Sequence, residues 1–335
     1  MKLILHIGTH KTGTTSIQRA FAASRTKLLE KGVWYPQYSD VLGGSKTSYA
    51  HLDIAKALMN EKAQLTKEEA VRFLRELSSS AEARAGVHTV VISGETMLRG
   101  KVGGEKKKWA NIQNFQRQVK ENLSGFAEIE VVVTFRNYID YLESLYNEHV
   151  KATTYSKPIE SFYNDYRERF NYKAIVSTWE KNVGAVKVVN FSEIAGQHIA
   201  ENWSRIILGE NFTGCFSKTD PESNVSWPLA LVDIKRTINA LNDKAYSHSM
   251  RQKISEFGDT EFSIKTFSQK QAWLSQDYYQ QLVDSYQQDI DWLTENYSPS
   301  CATLGHLPNS DKAQYQGLKD EYMARFIRFA IGTVI

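Results

Sequence analysis

Five short apolar runs mark the chain as far as Asn190, and stretches with helical spacing lie between them. The runs are Leu3 to Ile7, Val33 to Tyr35, Val87 to Ile92, Ile129 to Phe135 and Val186 to Asn190. Most are continuously apolar rather than alternating, which is how strands read when both faces of a parallel sheet are covered. One helix is expected to begin at Thr66, whose hydroxyl caps it while Glu69 answers three positions later; Val71, Leu74 and Leu77 then share a face. Another occupies the region around Ile112 to Leu123 and stops near Gly125. This βα alternation predicts an α/β fold with three layers and a central parallel β-sheet, doubly wound, with ligands at the carboxyl ends of the strands.

From about Trp227 the pattern becomes helical. Ile234, Ile238 and Leu241 are spaced as a core face, and a later helix runs through Tyr278, Leu282 and Tyr286. The whole chain, 1–335, reads as a single domain: an α/β core over 1–220 and a helical C-terminal lobe over 221–335. The closing segment from Asp320 is apolar enough to dock, and the body of the same chain is the expected partner, with a homodimer as the alternative. Ser39 to Ser48 and Arg99 to Lys108 read as mobile loops.

Composition narrows the classes. At 335 residues a substantial core is assured. Forty-one basic residues against 38 acidic ones leave a formal charge of +3, which does not imply nucleic-acid binding. The basic cluster Lys106-Lys107-Lys108 reads as a solvated helix start, although it has the charge to attract a sulfated or carboxylated acceptor. Two cysteines, Cys215 and Cys301, and a start that runs from Met1 almost directly into a strand predict a reduced, cytoplasmic protein. No apolar run approaches the roughly 20 residues of a membrane span. No metal-site spacing and no Gly-x-Ser-x-Gly elbow occurs, so metallohydrolase and serine-esterase readings lack support.

Candidate chemistry concentrates at residues 2–21, where an apolar strand runs into a Gly/Thr/Lys turn and then a helix. Backbone N–H groups from Thr12 to Thr15 are the first, unpaired donors of that helix, and Lys11 adds a positive charge beside its dipole. An anionic, nucleotide-like ligand is therefore expected. The usual ATP/GTP loop requires Gly, four residues, Gly, Lys and Ser/Thr, whereas here Gly8 and Gly13 bracket Lys11.

The order Lys11-Thr12-Gly13-Thr14-Thr15 after a strand resembles the 5′-phosphosulfate loop of sulfotransferases that use PAPS, 3′-phosphoadenosine 5′-phosphosulfate. Two further segments carry the resemblance. Arg136, ending the Ile129 to Phe135 run, and Ser144 on the next helix match the family's 3′-phosphate motif, and Phe191 stands where the family places an aromatic near the adenine. The resemblance covers roughly residues 1 to 200. The basic Gly-rich motif of cytosolic animal members, RxGxxGxWK, is absent, and Asn224-Val225-Ser226 stands in its place, as in some bacterial-type members.

The resemblance implies a P-loop-NTPase-like fold and transfer of a sulfuryl group from PAPS, leaving PAP, to a hydroxyl or amine of a carbohydrate, glycolipid or small-metabolite acceptor, with no metal required. Lys11 would contact the bridging and 5′-phosphate oxygens, while Thr12, Gly13, Thr14, Thr15 and Ser16 supply N–H and hydroxyl donors. Arg136 and Ser144 would hold the 3′-phosphate. The acceptor must lose a proton, and Glu95, after the strand VVISGE, and His51, in SYAHLDIAKAL, are the candidate bases. His6 reads as a satisfied core histidine and His10 as a residue lining the ligand. The alternatives are a small-molecule kinase with an aberrant phosphate loop, and a module that binds PAP without turnover.

Overall fold

The computed structural model describes residues 1–98, 105–216, 227–307 and 312–332, with backbone alone at 105–110. The chain is α/β, with five parallel strands among the described residues: β1 Lys2–His6, β2 Val33–Trp34, β3 Thr89–Ser93, β4 Glu128–Phe135 and β5 Ala185–Asn190. All five apolar runs became strands. Their order is β2-β3-β1-β4-β5, so β1 is central and the connections change direction around it. Ligands of open α/β sheets bind beyond the carboxyl ends of strands at such a reversal. Here those ends carry residues 7–13, Glu95 and Arg136.

Two compact units interleave along the chain. The first contains Met1–Arg136, Tyr172–Pro221 and Asp291–Leu304, and the second contains Asn137–Asn171, Glu222–Ile290 and Gly305–Ile335. The residues 291–304, expected in the helical lobe, thus belong with the sheet. Asn190 explains part of that: its side-chain amide donates to Ser300 O at 2.7 Å and Thr303 Oγ1 at 2.8 Å.

In the first unit, Ile4, Val91, Val132 and Val189 cluster with Ile17 and Phe21 of the Thr14–Ala23 helix and with Ile199 and Trp203 of the Ile199–Leu208 helix. The Glu105–Asn122 and Tyr172–Asn182 helices pack together, and the latter lies against β4 and β5. There Phe135 stacks on Tyr172 at 4.0 Å. The Lys67–Glu82 helix starts as expected: Glu69 N–H donates to Thr66 Oγ1 at 3.2 Å, and Glu69 Oε2 accepts from Thr66 N–H at 2.8 Å. Glu69 also binds Lys46 Nζ at 2.6 Å, and Ser39 N–H donates to Lys46 O at 2.9 Å. The stretch read as a mobile loop is therefore tied, and it contains a short helix, Ser39–Leu42.

The second unit is helical. Leu231, Ile234 and Ile238 of the Leu229–Asn239 helix pack with Ile254 and Phe257 of the Lys244–Gly258 helix. Phe326 of the Asp320–Ala330 helix joins them, 5.6 Å from Phe257, so the closing segment docks within its own unit. Leu241, expected on the core face, is 66% exposed because the helix ends at Asn239. Tyr279 rather than Tyr278 is buried in the Gln276–Asp284 helix.

Candidate functional site

The loop after β1 is built by close approach and unusual backbone. Ile7 N–H still pairs with Val132 O at 2.9 Å, and the chain then leaves the sheet at Gly8. A β-carbon at Gly8 would stand 2.6 Å from Thr14 Oγ1, closer than real contacts allow, and a tight 3.0 Å from His6 Nε2. Lys11 and Gly13 both have positive φ, 64° and 74°, with a negative φ at Thr12 between them. Alternation of this kind turns successive N–H groups toward one side, which makes a concave nest for an anion. The helix that follows, Thr14–Ala23, has no acidic residue in its first turn, and the N–H groups of Thr14, Thr15 and Ser16 have no intrahelical acceptor.

Two of the expected hydroxyl donors are used elsewhere. Thr12 Oγ1 donates to Thr9 O at 2.6 Å, and Thr9 Oγ1 in turn donates to Thr134 O at 2.7 Å, binding the loop to β4. Thr12 and Thr14 are buried, and Thr14 Oγ1 lies 3.4 Å from both Thr9 O and Thr12 Oγ1. These threonines shape the loop, and what they present to a ligand is main chain. Thr15 and Ser16 are half-buried.

Arg136 enters from the end of β4. Its Nη1 donates to Lys11 O at 3.2 Å, its guanidinium carbon lies 5.3 Å from the centre of the Phe191 ring, and its own carbonyl accepts from Tyr172 Oη at 2.9 Å. Nε of Arg136 is buried with no hydrogen-bond partner among the described residues. Phe191 starts the turn after β5, which Asn190 caps, and lies 3.5 Å from where a β-carbon of Gly13 would be. Lys11, Gly13, Arg136 and Phe191 thus meet at one place. Ile199 meets them too, its Cδ1 only 2.0 Å from that β-carbon position. Nothing local in the sequence marks Ile199. Ser144 lies in the second unit, buried on the Tyr138–Ala152 helix.

The two candidate bases separate. His51 is buried, its Nδ1 accepts from Ser93 N–H at 3.0 Å, and Nε2 faces Pro36 O at 3.0 Å. The first contact requires a lone pair on Nδ1, so Nε2 carries the proton and donates to Pro36 O. Both nitrogens are occupied, and burial lowers the imidazole pKa to about 4. His51 is therefore a clamp between β3 and the Pro36 turn, and the structure removes it as a proton acceptor. Glu95 stands on the turn after β3, with its Oε1 3.4 Å from His10 Nδ1 and both side chains partly exposed. His6 is also sealed: Nδ1 lies 2.9 Å from Ser93 Oγ, burial lowers its pKa to about 4, and Nε2 has no partner among the described residues. The expectation of a satisfied core histidine holds for one nitrogen.

Lys106-Lys107-Lys108 fall on the Glu105–Asn122 helix, whose first side chains lie outside the described residues, as do 99–104 and Asn224-Val225-Ser226. Among the described residues no group of three or more His, Cys, Asp or Glu side chains is arranged to hold a metal ion. No helix among them is long and apolar enough to cross a membrane. Cys215 and Cys301 are buried free thiols. No protein-family model matches the chain, and no curated protein matches it.

Proposed function

We propose that the chain is a PAPS-dependent sulfotransferase whose loop 8–16 takes the 5′-phosphosulfate end of the donor. The observation that carries this reading is the alternating backbone at Lys11, Thr12 and Gly13, which opens onto a helix start free of acidic side chains and has Arg136 bound across it. Main-chain donors beside a guanidinium, on a loop that carries a lysine, suit a ligand with two phosphate groups. The residues fit that ligand in two further respects. Gly13 leaves no side chain between the loop and the Ile199 and Phe191 side chains, and Arg136 keeps a buried Nε without a partner among the described residues.

PAPS supplies an activated sulfuryl group, transferred by in-line attack of a hydroxyl or amine on sulfur. Sulfuryl transfer calls for positioning and for neutralisation of the charge on the departing phosphate. Lys11 and the N–H groups of residues 13–16 supply both. A sulfuryl group bears less negative charge than a phosphoryl group, so the cations of the loop suffice for the proposed chemistry. The acceptor class in this reading is a hydroxyl of a carbohydrate, a glycolipid or a small metabolite.

Calorimetric titration with PAP tests the reading. Saturable binding by the wild type, weakened by Arg136→Ala and Lys11→Ala, is expected. Absent binding, undiminished binding by Arg136→Ala, or tighter binding of ATP with Mg²⁺ than of PAP contradicts it, the last in favour of a kinase.

A further inference from the structure

We propose that His10 and Glu95 form the proton-accepting pair of this site, with His10 the catalytic residue and Glu95 the positioning residue that holds its ring. The proposal rests on the sulfotransferase reading above. His10 immediately precedes Lys11, so the backbone that forms the phosphate nest also fixes the His10 main chain. Its Nδ1 stands 3.4 Å from Glu95 Oε1, at ion-pair distance, and catalytic contacts of this kind commonly tighten only when ligand is bound. His10 and Glu95 side chains retain 15% and 22% exposure, whereas His6 and His51 are sealed, so the acceptor's proton meets His10 before either of them.

The turn that carries Glu95 is held by three hydrogen bonds to His6 and His51. Gly94 N–H donates to His6 O at 3.0 Å, His51 N–H donates to Ser93 O at 2.7 Å, and His51 Nδ1 accepts from Ser93 N–H. A β-carbon at Gly94 would stand 2.9 Å from His51 O, so glycine is what lets the turn sit this close. Gln18 Nε2 adds a bond to Ser93 Oγ at 3.1 Å. Glu95 therefore projects from an anchored position rather than from a wandering loop.

A carboxylate at Nδ1 favours the tautomer with its proton there and puts the imidazole lone pair on Nε2. In the step proposed, the acceptor oxygen forms its bond to sulfur. The bond between sulfur and the 5′-phosphate oxygen breaks, and its electron pair leaves with PAP. The acceptor's proton passes to His10 Nε2, the resulting imidazolium is balanced by Glu95, and the proton returns to solvent after release. Among the described residues, charged and titratable groups near the pair include Lys11, next in the chain, Arg136 on the Lys11 carbonyl, and His6, which feels the Glu95 charge.

Two measurements on the full chain test this. The first is an NMR titration of the His10 ring, assigned by its loss in His10→Gln, with PAP saturating. Glu95→Gln is expected to lower the midpoint by about one pH unit, the usual size for loss of an adjacent carboxylate; an unchanged midpoint overturns the pairing. The second is hydrolysis of PAPS with water as acceptor. Expected is a fall on the order of 100-fold in His10→Gln, the ordinary worth of a general base. Glu95→Gln should lose less, Glu95→Asp should recover part of that loss and shift the pH profile, and PAP affinity should stay near wild type throughout. A wild-type rate in His10→Gln with PAP binding intact overturns the pair and leaves the sulfotransferase reading standing. Failure of the wild type to bind PAP removes both, and if water proves too poor an acceptor, the NMR midpoint decides.

Discussion

Arg136 donates through Nη1 to the main-chain carbonyl of Lys11 at 3.2 Å, joining the end of β4 to the loop residue with a positive φ. One guanidinium thus braces a backbone conformation that non-glycine residues rarely hold, beside an aromatic ring, while its Nε lacks a partner among the described residues. Replacing it removes the brace and a charge-assisted donor together. Arg136→Ala should weaken PAP binding by about 10- to 100-fold, the worth of a hydrogen bond to a charged group. Arg136→Lys should recover less than half of the lost free energy, because a point charge does not reproduce the planar fork. Calorimetry on the three proteins reads this directly, and equal affinities would refute the role.

Gly13 is expected to be intolerant of any side chain. Its φ of 74° is costly for an L-residue, and a β-carbon would overlap Ile199 Cδ1 at 2.0 Å. Gly13→Ala should lose about 2–4 kcal/mol of stability, combining backbone strain with overpacking. Adding Ile199→Ala should relieve the overlap but not the strain, so the double variant should be less destabilised than the sum of its parts. Urea unfolding of the single and double variants supplies the comparison; strict additivity would argue that the contact is not what matters.

The sheet was legible because strands covered on both faces leave an unbroken apolar run, and β1, β3 and β4 did so. The loop was legible for a different reason: lysine and glycine in a fixed order after a strand leave few backbone alternatives. What escaped reading depends on contacts far away in sequence. His51 looks like a residue at the lip of a pocket, yet Ser93 and Pro36 claim both of its nitrogens. Ile199 lies 186 positions beyond Gly13 and joins it only through the fold. Lys235, which nothing in the sequence singles out, is buried with Asn239, Ser247 and the Thr153 carbonyl around its ammonium, the last of these from 82 positions away.

The two sealed histidines set an acid limit. His6 and His51 have pKa values depressed to about 4 by burial, against 6.5 when unfolded. Between those values the unfolded chain binds more protons, so stability falls as pH drops through that window and is fully recovered above it. Each histidine should cost roughly 2 kcal/mol between pH 7 and pH 5. In His51→Gln that loss should be about halved. Urea unfolding of both proteins at the two pH values would expose an error in this assignment by showing the same loss of stability in each.

Lys235 acts at the other end of the scale. Burial, with Arg251 adding repulsion, lowers its pKa to about 8 from 10.5. Above pH 8 the folded form loses its proton while the unfolded form keeps it, so this group adds stability as pH rises from 8 to 10, by roughly 2 kcal/mol. The buried tyrosines work in the opposite sense, since burial raises their pKa and ionisation favours the unfolded chain. Subtracting the profile of Lys235→Met from that of the wild type isolates the lysine. A flat difference across pH 8 to 10 would mean that its ammonium is not depressed.

The most direct measurement is a crystal structure of the chain grown or soaked with PAP. Expected is a 5′-phosphate within about 3 Å of the N–H groups of Gly13, Thr14 and Thr15 and of Lys11 Nζ. The 3′-phosphate of the same molecule should lie on Arg136 and the adenine against Phe191. Density for PAP away from the loop, or Lys11 and Arg136 facing separate cavities, would contradict the central claim.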